Sequence, residues 1–209
     1  RSLLPKKRLQ TAQKRKNSHL SQNQKVESAM NERRFNGLIT KLRNPERLER
    51  LQIDRVMAYS LAGIEVINAV DVGTGTGVFA EALLQRGVNV RAVDCNPEFL
   101  QVARELVPDA EFIEAPAEQL PFADKSCDLV FMGHVLHETD DAEKSLREAF
   151  RVTAKRLAIL EWPCVEQPVG PPLDHRMPLE KIKELGFAAG FSICDVIQLK
   201  MMQLIIFDR

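Results

Sequence analysis

At 209 residues and 23.6 kDa, with 44% hydrophobic residues, the chain can bury one sizeable core and is too short for two large independent domains. The formal charge is zero, yet residues 1 to 25 carry eight Lys or Arg and no acid, leaving 21 basic against 29 acidic residues in the remainder, so a basic arm precedes an acidic body. No run of about eighteen apolar residues occurs and the start lacks a secretory apolar stretch, which predicts a cytoplasmic protein with no membrane span.

Residues 1 to 25, including Lys6-Lys7-Arg8 and Lys14-Arg15-Lys16, are polar and read as a flexible arm. Such a run could grip nucleic-acid phosphate or an anionic membrane surface. Without interleaved aromatic residues for base stacking, a solvated tail is the favoured reading. From residue 26 to 61 the pattern is helical, with Leu38, Leu42, Leu48, Leu51, Val56 and Met57 near helical spacing. One restart is marked by Asn44-Pro45-Glu46, a cap candidate followed by proline and an acid. These N-terminal helices precede the main domain, residues 62 to 209, as its support or as a lid.

Val66 to Ala80, Val-Ile-Asn-Ala-Val-Asp-Val-Gly-Thr-Gly-Thr-Gly-Val-Phe-Ala, organises the rest. An apolar run short enough for a buried parallel strand ends at Asp71, and Gly73, Gly75 and Gly77 lead into a helix over 78–86. Strand, tight turn and helix N-terminus together present outward N–H groups that a nucleotide-like ligand can approach. Gly75 to Ala80 satisfies the dinucleotide pattern G-x-G-x-x-G/A, and Asp94 follows about twenty residues on. A strand over 88–94 places Asp94 at its C-terminal end beside Asp71, where its carboxylate can accept two ribose hydroxyls. Capping of the helix that starts near Asn96-Pro97 is its other available role.

A helix over 96–107 stops before Pro108, a strand covers 110–114, and Ala115 to Met132 follows. Within it, Ala117-Glu118-Gln-Leu-Pro-Phe-Ala-Asp-Lys-Ser-Cys-Asp-Leu-Val130 resembles the segment after the third strand in class I S-adenosylmethionine (SAM) dependent methyltransferases of the type-11 group. That group includes the ubiquinone and menaquinone biosynthesis enzymes. Asp71 two residues before the first alternating glycine is similar to motif I of the same class, and a NAD-dependent enzyme has no reason to carry the later segment. The resemblance covers about residues 60 to 209. It implies an α/β fold, a Rossmann-like seven-stranded, mostly parallel sheet with helices on both faces and a C-terminal antiparallel hairpin.

The resemblance also implies SAM as cofactor, with Asp71, Gly73, Thr74, Gly75, Gly77, Asp94, Cys95, Ala117, Glu118, Gly133 and His134 on the cofactor side. Where the family often has an Asp that bonds the adenine amino group, this chain has Pro116, leaving the Ala117 N–H to meet the ring. His137 and Glu138 follow the strand over 128–132 and face the acceptor, as general base or as loop-orienting groups.

A helix over 141–153 is amphipathic through Leu146, Ala149, Phe150 and Thr153. Ala154-Lys155 reads as a short turn into a strand over 156–161, which ends in Glu161-Trp162, the one tryptophan. Trp162 is either core or a flat wall for an apolar or cationic substrate. The proline-rich stretch 163–177 reads as a loop bordering the substrate, with Glu161, Trp162 and His175 as its candidates. A helix over 178–189 and two strands, 191–196 and 201–207, complete the chain. Cys95, Cys127, Cys164 and Cys194 form no C-x-x-C pair and are expected as free thiols buried at strand ends, with no metal site.

The leading reading is methyl transfer to a small-molecule acceptor. The alternatives are an RNA or protein methyltransferase guided by the basic arm, against which the missing D/N-P-P-Y sequence counts, and a non-catalytic SAM-binding protein. Oligomeric state has no signature in the sequence.

Overall fold

The computed structural model describes residues 34, 35, 37 and 39–209. The chain divides into two units, Arg1–Phe35 and Asn36–Arg209, and the second holds every element below. The arm expected over residues 1 to 25, and most of the helical reading of 26–38, lie outside the described residues.

Short Val-, Ile- and Leu-rich runs become seven strands: β1 Asn68–Val72, β2 Asn89–Asp94, β3 Glu111–Glu114, β4 Cys127–Gly133, β5 Thr153–Glu161, β6 Ile193–Gln198 and β7 Gln203–Asp208. They form one sheet in the order β3-β2-β1-β4-β5-β7-β6. Strands β1 to β5 pair in parallel, and β7 runs antiparallel to both β5 and β6. The Rossmann-like seven-stranded sheet with its C-terminal hairpin is therefore the fold of this chain.

Alternation sends successive strand residues to two cores. Leu129, Phe131, Ala158 and Leu160 pack with helices α1 Pro45–Leu51, α2 Ile53–Leu61, α3 Val78–Leu84 and α4 Pro97–Leu106 on one face. Val130, Met132, Leu157 and Ile159 pack with α5 Ala142–Val152 and α6 Leu179–Ala189 on the other. Each large buried side chain contributes about 1.5–3 kcal/mol of transfer free energy, so the doubly covered central strands dominate the core.

Side-chain caps set three helix starts. Asn44 Oδ1 accepts the Glu46 N–H at 2.9 Å, Asn96 Oδ1 accepts those of Glu98 and Phe99, and Asp141 Oδ1 accepts that of Lys144 at 3.0 Å. The single restart expected before residue 61 is two: Gln52 takes left-handed φ 49, ψ 45 and separates α1 from α2. The break allows Leu51 as well as Val56 and Met57 to face the same core, and Gln52 Oε1 accepts the Lys200 N–H at 2.8 Å.

Two further expectations are corrected. No turn separates α5 from β5, because the strand begins at Thr153 and contains Ala154 and Lys155. Cys127 and Leu129 pair with Thr153 and Arg156, two residues against three, so the extra residue sits in a bulge that the Thr153 hydroxyl bridges, lying 2.9 Å from Arg156 O and 3.2 Å from Asp128 O. On α5, Leu146 and Ala149 are buried as expected, together with Ser145 and Val152, and Phe150 packs partly buried against the same core. Of the four free cysteines only Cys127 is buried; Cys95 and Cys164 are exposed and Cys194 is half-buried, since the last three lie in a loop, a loop and an outermost strand.

Candidate active site

The strand order reverses between β1 and β4, so the loops leaving their C-terminal ends diverge and open a cleft. The glycine turn forms one wall. Gly73, Gly75 and Gly77 have φ of 65°, 55° and 79°, a region that L side chains adopt only under strain. At Gly73 space is as limiting as φ, since a Cβ would fall 1.7 Å from Val135 Cγ2 on the loop after β4. Gly77 precedes α3 directly.

Asp71, 1% exposed, accepts the Thr74 hydroxyl on Oδ2 at 2.6 Å, while among the described residues Oδ1 has no partner within hydrogen-bond geometry, the Ala80 N–H adding only a weaker interaction with the carboxyl. Burial pushes its carboxyl up to about 7, against the Thr74 hydrogen bond, and the charge of Asp94 adds to the rise. Asp94, at the end of β2, accepts the Gly75 N–H on Oδ2 and the Asn96 N–H on Oδ1, both at 2.8 Å. An orphaned acceptor, a cradle without side chains and a strand-end carboxylate fit a nucleoside-type cofactor.

Cys95 follows Asp94 and is exposed. Ala117 is half-buried against the second core. Glu118 does not project freely, because its Oε1 accepts the N–H groups of Asp140 and Asp141 at 2.9 and 3.2 Å. It thus ties the turn after β3 to the start of α5. Gly133 is required by packing, since its Cβ would meet the Phe79 ring at 2.5 Å.

Beyond Gly133 the chain turns sharply at His134, whose φ is 60°. Its ring stacks on Trp162 at 5.4 Å, and Nε2 lies 3.2 Å from Met202 Sδ. Burial, helped by the charges of Arg47 and His137, holds its pKa well below the usual histidine value, so the ring is neutral. Trp162 is half-buried and takes the first of the two roles expected of it, packing on the first core, with its ring stacked on His134.

The parallel register pairs Gly133 with Leu160, which carries Glu161 up to the loop after β4. His137 Nδ1 is 2.8 Å from Glu161 Oε2 and 3.0 Å from Oε1, and its Nε2 is 3.7 Å from Glu138 Oε1. His137 is 6% exposed and Glu161 2%. Burial opposes the imidazolium, but the charge and hydrogen bond of Glu161, with Glu138, outweigh it and raise the His137 pKa above 6.5. A buried carboxylate that fixes an imidazole through Nδ1 leaves Nε2 as the nitrogen for chemistry.

Sequence reasoning did not pair these two residues, and it gave no role to Arg176, Arg43 or Arg47. Arg176, not His175, organises the loop after β5: it is buried, donates to the carbonyls of Pro163, Val165, Val169 and Pro171 and to Gln167 Oε1, and lies over Trp162 at 5.4 Å. His175 sits in the turn Leu173–His175, and among the described residues no hydrogen bond or ring contact joins it to His137. From the N-terminal side, Leu42 approaches Gly75, and Arg43 donates to Thr76 O from Nε and Nη2 at 3.2 and 2.9 Å while pairing with Glu81 at 2.7 Å. Arg47 completes this edge. A basic residue before a helical leucine pattern was the one available signal.

Among the described residues no group of His, Cys, Asp and Glu could hold a metal ion, and no helix is long and apolar enough to cross a membrane.

Comparison with known proteins places these features in context. Residues 70–157 match the family model described as a methyltransferase domain. A demethylmenaquinone methyltransferase of Renibacterium salmoninarum is 37% identical over 107 residues, 51% of this chain and 43% of that protein. A ubiquinone/menaquinone biosynthesis C-methyltransferase of Bartonella bacilliformis is 33% identical over 138 residues, 61% of this chain and 52% of that one. The chain thus spans about half the length of these curated relatives, or less. Among solved structures, a SAM-dependent methyltransferase from Aquifex aeolicus superposes with a TM-score of 0.74 at 26% identity, covering 81% of this chain and 96% of the other.

Proposed function

Because residues 70–157 match the methyltransferase-domain family model and the sheet has the fold of a solved SAM-dependent methyltransferase, we propose that the chain transfers a methyl group from SAM to a small-molecule acceptor. The observation that carries this reading is the adjacency, at the sheet's switch point, of the glycine turn and the buried His137–Glu161 pair.

When bound, SAM supplies a methyl group on a sulfonium that is already a good leaving group, so alignment of the acceptor and exclusion of water dominate the barrier. The glycine turn with Asp71 and Thr74 binds the cofactor, Asp94 takes the ribose hydroxyls and the Ala117 N–H meets the adenine. Gly133 and His134 border the reacting end. Glu161 keeps His137 Nδ1 engaged, and His137 Nε2 takes the proton of an acidic hydroxyl or carbon acid, with Glu138 beside it. Trp162 forms the flat wall of the acceptor pocket and Arg176 shapes its loop. Leu42 and Arg43 make the N-terminal helices a cover over the glycine turn. Action on a soluble acceptor in the cytoplasm fits this reading.

Calorimetry with S-adenosylhomocysteine (SAH) tests it. Wild type binds, Asp94→Ala binds at least about tenfold more weakly, since two charge-assisted hydrogen bonds are lost, and His137→Ala binds as wild type does. Absence of SAH binding by the wild type overturns the proposal.

A further inference from the structure

Met202 closes the hairpin that joins β6 to β7 and is 1% exposed. The Leu199 N–H donates to Met202 O at 2.9 Å, which sets the turn between the two strands. Around it, three successive residues are held by three different segments. Gln52 Oε1, at the break between α1 and α2, accepts the Lys200 N–H at 2.8 Å, and Gln167 Nε2, on the loop after β5, donates to Met201 O at 2.9 Å. The third contact belongs to a side chain: Met202 Sδ lies 3.2 Å from Nε2 of His134 on the loop after β4. The mechanism above gives this thioether no part.

His134 is held as closely. It keeps φ 60° although it is not a glycine, its N–H donates to Leu160 O at 2.8 Å, and its ring stacks on Trp162. Because burial and the nearby charges keep the ring neutral, one nitrogen carries a hydrogen and the other a lone pair. A thioether has no hydrogen to give and can only accept. A bare Nε2 at 3.2 Å would set lone pair against lone pair, so the hydrogen is on Nε2. Nδ1 is then left as an acceptor, and among the described residues no donor meets it. The two cleft histidines are thus set in opposite senses, since Glu161 engages Nδ1 of His137 and Met202 engages Nε2 of His134.

We propose that Met202 is a positioning residue of the methyl-transfer site: its thioether takes the Nε2 hydrogen of His134 and leaves Nδ1 as a bare acceptor for an ammonium, amine or hydroxyl donor on the bound cofactor or on the methyl acceptor. This deepens the function proposed above and rests on it. Met202 acts through His134 alone, so the state of that imidazole reports the role directly.

The test is nitrogen-15 NMR of the full chain, whose four histidines give few enough ring signals to assign, with His134→Gln identifying its own. In the free wild type at neutral pH, long-range ring correlations should show His134 as one tautomer with its hydrogen on Nε2. Met202→Leu keeps the volume and removes the acceptor; with an unchanged circular dichroism spectrum it should move the tautomer ratio about fivefold or more towards Nδ1–H. Added SAH separates the two sources of the donor. If it moves the Nδ1 resonance, the donor is the cofactor's, and Met202→Leu binds SAH about fivefold or more weakly by calorimetry. If SAH binds and leaves that resonance in place, the donor is the acceptor's, and Met202→Leu binds SAH as wild type does. A wild-type His134 with its hydrogen on Nδ1, an even mixture of tautomers, or a folded Met202→Leu with the wild-type ratio overturns the inference and leaves the proposed function standing. Wild type that binds no SAH overturns the proposed function, and the tautomer of the free protein then decides for Met202 alone.

Discussion

The buried carboxyl of Asp71 makes stability depend on pH in a way that one substitution isolates. Its pKa stands at about 7 in the folded chain against an ordinary 3.8, chiefly because burial penalises the charge. The folded state therefore holds a proton that the unfolded chain releases, and stability from this group, fully present below pH 3.8, is lost as pH rises through 7. The slope is ~1.4 kcal/mol per pH unit between those values and flattens above the upper one. From pH 5 to pH 8 the loss amounts to ~2–3 kcal/mol. Asp71→Asn keeps an acceptor for the Thr74 hydroxyl and cannot ionise. Urea denaturation of ligand-free protein at pH 5, 6, 7 and 8 should show wild type losing that amount relative to the variant, a midpoint difference of about 1 M. Parallel pH profiles for the two proteins, or a wild type that gains on the variant as pH rises, would refute the reasoning.

Three other outcomes are expected. His137→Ala should lower kcat by about 10²- to 10⁴-fold, the usual range for a lost general base, with SAH affinity unchanged by calorimetry. Glu161→Gln removes the carboxylate that raises the His137 pKa, so the rising limb of kcat/KM against pH should move to lower pH; because that raised pKa stabilises the fold below pH 6.5 and is lost above it, the variant's stability deficit should be larger at pH 6 than at pH 9. Gly73→Ala combines φ 65° with a Cβ 1.7 Å from Val135, and thermal unfolding should show a loss of ~2 kcal/mol or more, while Gly63→Ala, with φ 74° and open space around it, should lose less.

The glycine turn was legible because three residues without side chains leave a mark that packing cannot imitate, and the central strands because burial on both faces makes them short continuous apolar runs. Asp71 and Asp94 followed, since a strand-end acid is visible wherever the strand is. The pairing of His137 with Glu161 was not visible: the two lie 24 residues apart, and only the register of β4 against β5 brings them together. Arg176 was passed over for His175 because four of its five acceptors are backbone carbonyls, which no residue type announces. The break at Gln52 was hidden for a similar reason, as a left-handed residue that is not glycine shows itself only through the packing that demands it. Ala154-Lys155 looked like a turn because it stands where the resembling methyltransferases turn into this strand, and instead supplies the bulge at the start of β5.

That bulge bears on how β5 finds its place. Leu157 to Leu160 are apolar toward both cores, so sliding the strand by one position would put oil against oil on either side and cost little in burial alone. The polar ends act as index marks instead. Arg156 meets Asp208 at 2.6 Å at the foot of the strand, Glu161 meets His137 at its head, and the slack residue at 154–155 lets both marks align at once. The contact that tunes a proton in the cleft is thus also a gauge for assembling the sheet, so a chain that slips while folding forfeits its chemistry and its alignment together.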